Sequence, residues 1–332
     1  MRIAIDAFGG DNAPIEIIKG ASIASNEYKV EITLCGDEKV IDKCILDNSL
    51  TFFGNLEVVH TTDVISMHDD PTSILKAHNN CSMALAFKEL SEGRADAFVS
   101  AGSTGAIVVG GTLIIKRIKG VKRPALAGLI PSPKSNYLLM DMGANAECRP
   151  EMLAQFGLMA SVYMEKVENR ENPSVALLNI GTEDTKGDEL RLEAYKLLEK
   201  EPINFVGNIE AREMPKGVAD AVITDGFTGN VALKLIEGTS ITLFKLLKGA
   251  MMKTLPNKLA SLVLKKDFYA LKSLMDSSEA GGAPLLGVSK TVIKAHGSSD
   301  AKAIKNAVRQ AISFTERGVI ETITENISKA GK

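Results

Sequence analysis

The 332-residue chain has no tryptophan and only five tyrosines, so it lacks the aromatic platforms on which single-stranded nucleic acids stack. Charge of one sign is equally scarce. Thirty-nine Lys+Arg stand against 41 Asp+Glu, a formal −2, which excludes a histone-like basic protein and gives no reason to expect a nucleic-acid partner. The four cysteines, Cys35, Cys44, Cys81 and Cys148, lie far apart with no C-x-x-C pair; neither a zinc knuckle nor a disulfide framework is indicated, and a reducing compartment fits. No apolar run approaches the roughly 20 residues of a spanning helix. The N-terminus reaches Gly9-Gly10-Asp11 before a signal-peptide core could form, so a cytoplasmic protein is expected. G-x-G-x-x-G after the first strand, G-x-x-x-x-G-K-[ST], H-E-x-x-H and G-x-S-x-G are all missing, which argues against a dinucleotide enzyme, a P-loop ATPase, a zincin and a serine hydrolase.

What is present is the composition of an ordinary globular protein, 45% apolar and 24% charged. Length alone, at roughly 150 residues per domain, suggests two domains or one large one. Short apolar runs alternate with helical patterns almost from end to end. Strands are expected near 2–6, 30–35, 56–60, 96–100, 125–130, 136–141, 174–180, 203–207, 219–224 and 291–295. Helices are expected near 14–26, 72–92, 104–117, 150–168, 187–199, 228–249, 257–275 and 300–327. That alternation predicts an α/β fold, a three-layer, mostly parallel sheet with helices on both faces. No repeat, low-complexity tract or linker divides the chain, so 1–332 is expected to form one domain.

Glycine-rich turns follow six of these strands, at 6–14, 101–105, 142–145, 181–187, 225–230 and 296–300. In an open α/β sheet the carboxyl ends of the strands form the ligand crevice, so the six are expected to converge on one site. Glycine lets backbone N–H groups approach a ligand, Ser and Thr add hydroxyls, and a following helix N-terminus favours an anion. Ser103-Thr104-Gly105 is such a cradle, although the same residues also make tight turns and N-caps. Lys186, between Thr185 and Gly187, can reach a phosphate or a developing oxyanion, or stand solvated. Asn230 can donate its amide to a carbonyl oxygen or cap the helix it opens, and His296 can be a general acid/base or a structural residue. His60, His68 and His78 share no ligand spacing and read as structural.

One segment differs in kind. Between Lys245 and Lys272 seven lysines face one aspartate, a local charge of +6 that leaves −8 for the rest of the chain. Lys258, Lys265 and Lys272 are seven apart and line one helical face, while Leu259, Val263, Phe268 and Leu271 gather on the other. A basic amphipathic helix suits an anionic membrane surface or an acidic protein, and equally a core-packed helix with a solvated face. Residues 245–280 are expected to form a protruding helical subdomain.

Long motifs in order now carry a resemblance. They are Ile5-Asp6-Ala7 with Gly9-Gly10-Asp11-Asn12-Ala13-Pro14, Val99-Ser100-Ala101-Gly102 with Thr104-Gly105-Ala106, and Gly143-Ala144-Asn145. Leu178-Asn179-Ile180-Gly181, Thr185-Lys186-Gly187, Asp225-Gly226-Phe227-Thr228-Gly229-Asn230, the run from Gly281 to Gly287 and the run from Lys294 to Lys302 complete them. Over nearly its whole length the sequence resembles the PlsX family, bacterial phosphate acyltransferases of membrane phospholipid synthesis. It departs from the family in having Phe8 for the usual Met and Ser103 for the usual Asn, the latter keeping a donor with shorter reach. The resemblance implies a fold related to phosphate acetyltransferases and isopropylmalate dehydrogenases, and a homodimer without cofactor or metal. It also implies transfer of a long fatty acyl group from acyl carrier protein to inorganic phosphate, giving acyl phosphate for a downstream glycerol-phosphate acyltransferase. The enzyme would be cytoplasmic, with peripheral association at the inner face of the membrane. On that reading Lys186, Asn230 and His296 are the catalytic candidates. Phosphate and the thioester end would be held by Asp6, Gly9, Gly10, Asp11, Asn12, Gly102, Ser103, Thr104, Gly105, Asn145, Asp225, Gly297, Ser298 and Ser299. Lys258, Lys265 and Lys272 would meet membrane or carrier protein. A short-chain enzyme using a coenzyme A thioester and a non-catalytic membrane scaffold are the alternatives.

Overall fold

The computed structural model describes residues 1–274 and 281–330. Its strands are β1 (Arg2–Asp6), β2 (Glu31–Gly36), β3 (Glu57–His60), β4 (Ala97–Ser100), β5 (Ala125–Ile130), β6 (Tyr137–Met140), β7 (Ser174–Asn179), β8 (Asn204–Glu210), β9 (Ala221–Ile223), β10 (Ala283–Leu286) and β11 (Thr291–Lys294). They form one mixed, mostly parallel sheet in the order β3-β2-β1-β4-β11-β10-β5-β6-β9-β7-β8. The helices are α1 (Ile15–Tyr28), α2 (Glu38–Asp47), α3 (Ser82–Ser91), α4 (Thr104–Gly110), α5 (Pro150–Lys166), α6 (Glu189–Leu198), α7 (Gly226–Met251), α8 (Leu255–Leu274), α9 (Ala301–Glu316) and α10 (Val319–Ala330).

Side chains alternate across the sheet with the strand period of two, which makes the three layers. In β1, Ile3 and Ile5 pack under α1 and α9, while Ala4 meets α3 on the other face. In β6, Leu138 and Met140 join α5 and α10, while Tyr137 and Leu139 lie beneath the first turns of α7.

The sheet holds two blocks of parallel strands, β3-β2-β1-β4-β11 and β6-β9-β7-β8. Between them β11/β10, β10/β5 and β5/β6 are antiparallel. Three reversals in series turn the second block over relative to the first. The six glycine turns therefore do not share one edge of the sheet. Those after β1, β4 and β11 leave at one end and those after β6, β9 and β7 at the other, which corrects the expectation of a single strand-end crevice.

Other expectations shift locally. The helix expected at 72–92 is a 3-10 turn (Pro71–Leu75) followed by α3, and the one at 104–117 is α4 running into a π-helical turn (Gly111–Lys116). The last helix breaks at Gly318, φ +62°, into α9 and α10. Elements α2 and β10 were not anticipated.

Only the first turns of α7 pack on the sheet, through Ala232, Leu233 and Ile236; farther along, Gly238 and Gly249 have open space where a Cβ would stand. Helix α8 packs back on α7 and exposes Leu255, Leu259, Leu262 and Val263. Residues 275–280 of the expected subdomain lie outside the described residues, as does the side chain of Lys272. Among the described residues no helix is long and apolar enough to cross a membrane.

Candidate active site

At or just past the end of two strands a buried aspartate holds the turn that follows. Asp6, at the end of β1, accepts from Ser82 Oγ at 2.6 Å, Ser100 Oγ at 2.7 Å and the Phe8 amide at 3.3 Å. Ser100 Oγ in turn accepts from the Gly102 amide at 2.9 Å, which links the first two glycine turns. Burial pushes the Asp6 carboxyl above the ordinary carboxylate range, and the two serine hydroxyls pull against that. A Cβ on Gly9 would stand 2.3 Å from Asp6 Oδ2 and 2.8 Å from the Gly102 amide, so only glycine lets these turns close together. Just past β6, Asp141 accepts from the amides of Leu126, Gly143, Ala144 and Asn145 and from Asn145 Nδ2.

The β1 turn is clasped to the start of α9. The Asp11 amide donates to the Gly297 carbonyl at 2.8 Å and Asn12 Nδ2 to the Ser298 carbonyl at 3.0 Å. Asp300 caps α9, accepting from the Ala303 amide at 2.8 Å. His296 Nδ1 takes the Ser298 amide at 3.3 Å and lies 2.9 Å from Ser298 Oγ, which assigns its neutral-state proton to Nε2. Burial and the neighbouring Lys294 hold the imidazole below its usual range, which favours its neutral form. Ser299 Oγ is buried with no hydrogen-bond partner.

A groove of about 930 Å³ runs between α7 and the sheet. Alternate β5 residues Leu126, Gly128 and Ile130 form its floor, and Met142 overlies Gly128, with Cε 2.3 Å from where a Cβ would stand. Leu233, Ile236 and Phe244 of α7 form the apolar wall, interrupted by Lys234 and Glu237. Thr104, Lys294 and the β11–α9 turn contribute from one block of strands, Gly143 and Asn230 from the other. The groove thus bridges the two sets of turns that the sheet sends to opposite ends. Its polar groups suit an anion and its floor an apolar chain.

Of the expected site residues, Thr104, Asn230, His296, Gly297, Ser298 and Ser299 line this groove. Gly9, Gly10, Asp11, Asn12, Gly102, Ser103 and Gly105 belong to the turns behind its polar end and are not among the lining residues. Asp6 and Ser103 are buried. The side-chain amide of Asn145 is taken up by the Pro124 carbonyl and Asp141. Asp225 caps α7 through the Thr228 amide and hydroxyl, both at 2.8 Å, and pairs with Arg191. Burial alone would raise the Asp225 carboxyl, but Thr228 and Arg191 hold it below the usual range. Lys186 is exposed on the turn after β7, one strand over from the β9 turn, and does not line the groove. Lys258 and Lys265 are exposed on α8. Sequence reasoning passed over Lys294, Lys234 and Glu237; a lysine closing the buried strand Thr291-Val292-Ile293 was the available signal.

The comparisons with known proteins agree with one another. A family model described as a fatty acid synthesis protein matches residues 1–322. The chain is similar to a phosphate acyltransferase of Oceanobacillus iheyensis, 48% identical with 100% of this chain and 99% of the relative covered. Among solved structures it is similar to a phosphotransacetylase from Streptococcus pyogenes, with TM-score 0.64, 16% identity and 97% and 94% of the two chains covered. A phosphotransacetylase from Staphylococcus aureus superposes with TM-score 0.61 at 17% identity, covering 98% and 94%. These two likenesses are of fold alone.

Proposed function

Because the chain belongs to the PlsX family of fatty acid synthesis proteins, the phosphate acyltransferases, we propose that it moves a long-chain acyl group from acyl carrier protein to inorganic phosphate. The observation that carries this reading is the groove, polar where the β11–α9 turn opens into it and apolar along β5 and α7. A phosphate oxygen attacks the thioester carbonyl, the new C–O bond forms as the C–S bond breaks, and the carrier leaves as a thiolate that takes a proton from water. Acyl phosphate and free carrier are the products. Phosphate is already anionic, and a pantetheine thiol with a pKa of roughly 8.5 leaves readily. The chemistry as proposed therefore calls for no covalent nucleophile, metal or organic cofactor, only alignment and donors where charge builds on the carbonyl oxygen.

Asn230 is the oxyanion donor on the groove itself, and Lys186, on the neighbouring turn, is the second. Neutral His296 offers its Nε2 proton to phosphate. The turns at 9–12, 102–105 and 297–299 together shape the phosphate and thioester end. The basic face of α8, with Lys258, Lys265 and Lys272, receives the acidic carrier protein or the inner face of the membrane, where a homodimer hands acyl phosphate to a glycerol-phosphate acyltransferase.

Long-chain acyl carrier protein is mixed with the enzyme and free thiol is followed with and without phosphate, acyl phosphate being trapped by hydroxylamine. Phosphate-dependent thiol release with trapped product is the expected result. Release independent of phosphate refutes the reading, and preference for a short acyl-coenzyme A would favour the short-chain alternative.

A further inference from the structure

β11 delivers a lysine to the point where the apolar groove meets the α9 turn. Lys294 follows three buried residues, Thr291, Val292 and Ile293, and itself lines the groove. An ammonium has three N–H donors. This one makes a single hydrogen bond, to the Ala295 carbonyl at 3.0 Å. The charged and titratable groups that face it are Lys234 and Glu237 of α7, Asp11 of the β1 turn and His296. A part-buried cation with unfilled donors, set near a second lysine, is unfavourable unless an anion completes it.

Two further observations place that anion. Ser299 also lines the groove, is 5% exposed, and carries a hydroxyl with no partner. The first amides of α9 are already engaged, Ala301 donating to Glu16 Oε2 at 2.9 Å and Ala303 to Asp300 Oδ1 at 2.8 Å. Side chains rather than the helix end are thus left to bind.

Resting on the reading of the groove above, we propose that Lys294 is the charged ligand of the attacking inorganic phosphate, its ammonium and the Ser299 hydroxyl holding two of the phosphate oxygens. The phosphate then lies at the polar end of the groove, with the acyl chain extending over Gly128 and the thioester carbonyl toward Asn230. Glu237 and Asp11 temper the positive charge when the site is empty. Lys234 adds to it when phosphate arrives.

Burial brings the Lys294 ammonium down to about 8, with Lys234 adding to the effect. Below that pH the lysine is charged and the site is complete. Above it the neutral amine no longer offsets the dianion, and affinity is expected to fall about tenfold per pH unit. Above about pH 8 the neutral imidazole is the favoured form of His296 and inorganic phosphate is mostly the dianion, so neither reproduces the decline. A lysine held below its ordinary pKa of about 10.4 also destabilises the folded state at neutral pH. Removing its charge should therefore weaken binding while raising Tm, the opposite of what a structural lysine would do.

The test is titration calorimetry of inorganic phosphate into the full-length protein, without acyl donor, for wild type, Lys294→Met and Lys294→Arg. Lys294→Met is expected to lose tenfold or more in affinity with Tm unchanged or higher. Lys294→Arg should stay within a few-fold at neutral pH and carry the alkaline decline beyond that of wild type. Wild-type affinity that is flat from about pH 8 to about 10, or a Met variant binding phosphate as wild type does, overturns the proposal. Should the Met variant not fold, the wild-type pH series and the Arg variant still decide. Phosphate binding through Lys294 without acyl transfer from carrier protein would sink the proposed function alone. Phosphate-dependent transfer with an unchanged KM for phosphate in Lys294→Met would sink the lysine alone.

Discussion

Asp6 shows how a buried side chain can hold together the turns that shape a site. It gathers the Ser82 and Ser100 hydroxyls and the Phe8 amide in a buried place, and through Ser100 it sets the Gly102 amide. Asp6→Ala leaves two buried hydroxyls and a part-buried amide without an acceptor and is expected to cost about 2–4 kcal/mol in urea unfolding. Asp6→Asn keeps an acceptor and should cost less. Because burial raises the Asp6 pKa, what this carboxyl contributes to stability is fully present at low pH and is lost as pH rises through the raised value. The Asn variant should therefore compare most favourably with wild type at neutral pH. Asn230→Ala is expected to lower kcat about 100-fold with Tm little changed, and Lys186→Ala about as much. A Lys186→Ala variant of near wild-type rate removes Lys186 from the reaction. Residue types at the turns were readable from sequence, but their direction was not. Asp6, Asn145 and Asp225 look like ligand residues in a motif, and only the structure shows the hydrogen bonds that each already makes within the protein.

At the scale of elements, the groove exists because α7 touches the sheet by its first turns and then leaves it over β5. Gly128 keeps that floor low, with Met142 folded over it. Gly128→Ile should drive Met142 into the groove and lower kcat/KM for long acyl chains tenfold or more, with less effect on short ones, which a chain-length series measures. Reversing Lys258 and Lys265 to Glu should weaken capture of acidic carrier protein or anionic vesicles, the loss shrinking as salt is added. Unchanged binding at low salt would take α8 out of that role. Most strands were legible because buried parallel strands read as continuous apolar runs. β10 was not, since Pro284 and the glycines before it argue against a central strand, yet Pro284 opens onto Ile293 of β11 near its start. Helix α2 is short and half exposed, and the break at Gly318 hides inside an uninterrupted apolar period.

For the whole molecule, a formal charge of −2 conceals the basic stretch on α7 and α8, and an alternating pattern conceals a sheet that reverses three times near its middle. Composition could not reveal either, because both depend on which segments become neighbours. The position of β11 has a further consequence, for how the chain is made. It lies between β4 and β10, and Ile293, Ile304 and Val308 share a core with Ile3, Ile5 and Ile17. The first block of the sheet is thus missing its fifth strand and the helix that covers α1 until nearly the whole polypeptide has left the ribosome. At about 5–20 residues per second that is a wait of some tens of seconds with an apolar face uncovered. A chain halted before β11 should be degraded in pulse proteolysis over residues 1–100, whereas the released full chain resists. Protection of that region in the halted chain would show that the early strands hold without their late partner. Synthesis order therefore leaves the first block of strands incomplete long after its own residues have been made, and residues 291–311 are the segment that completes it.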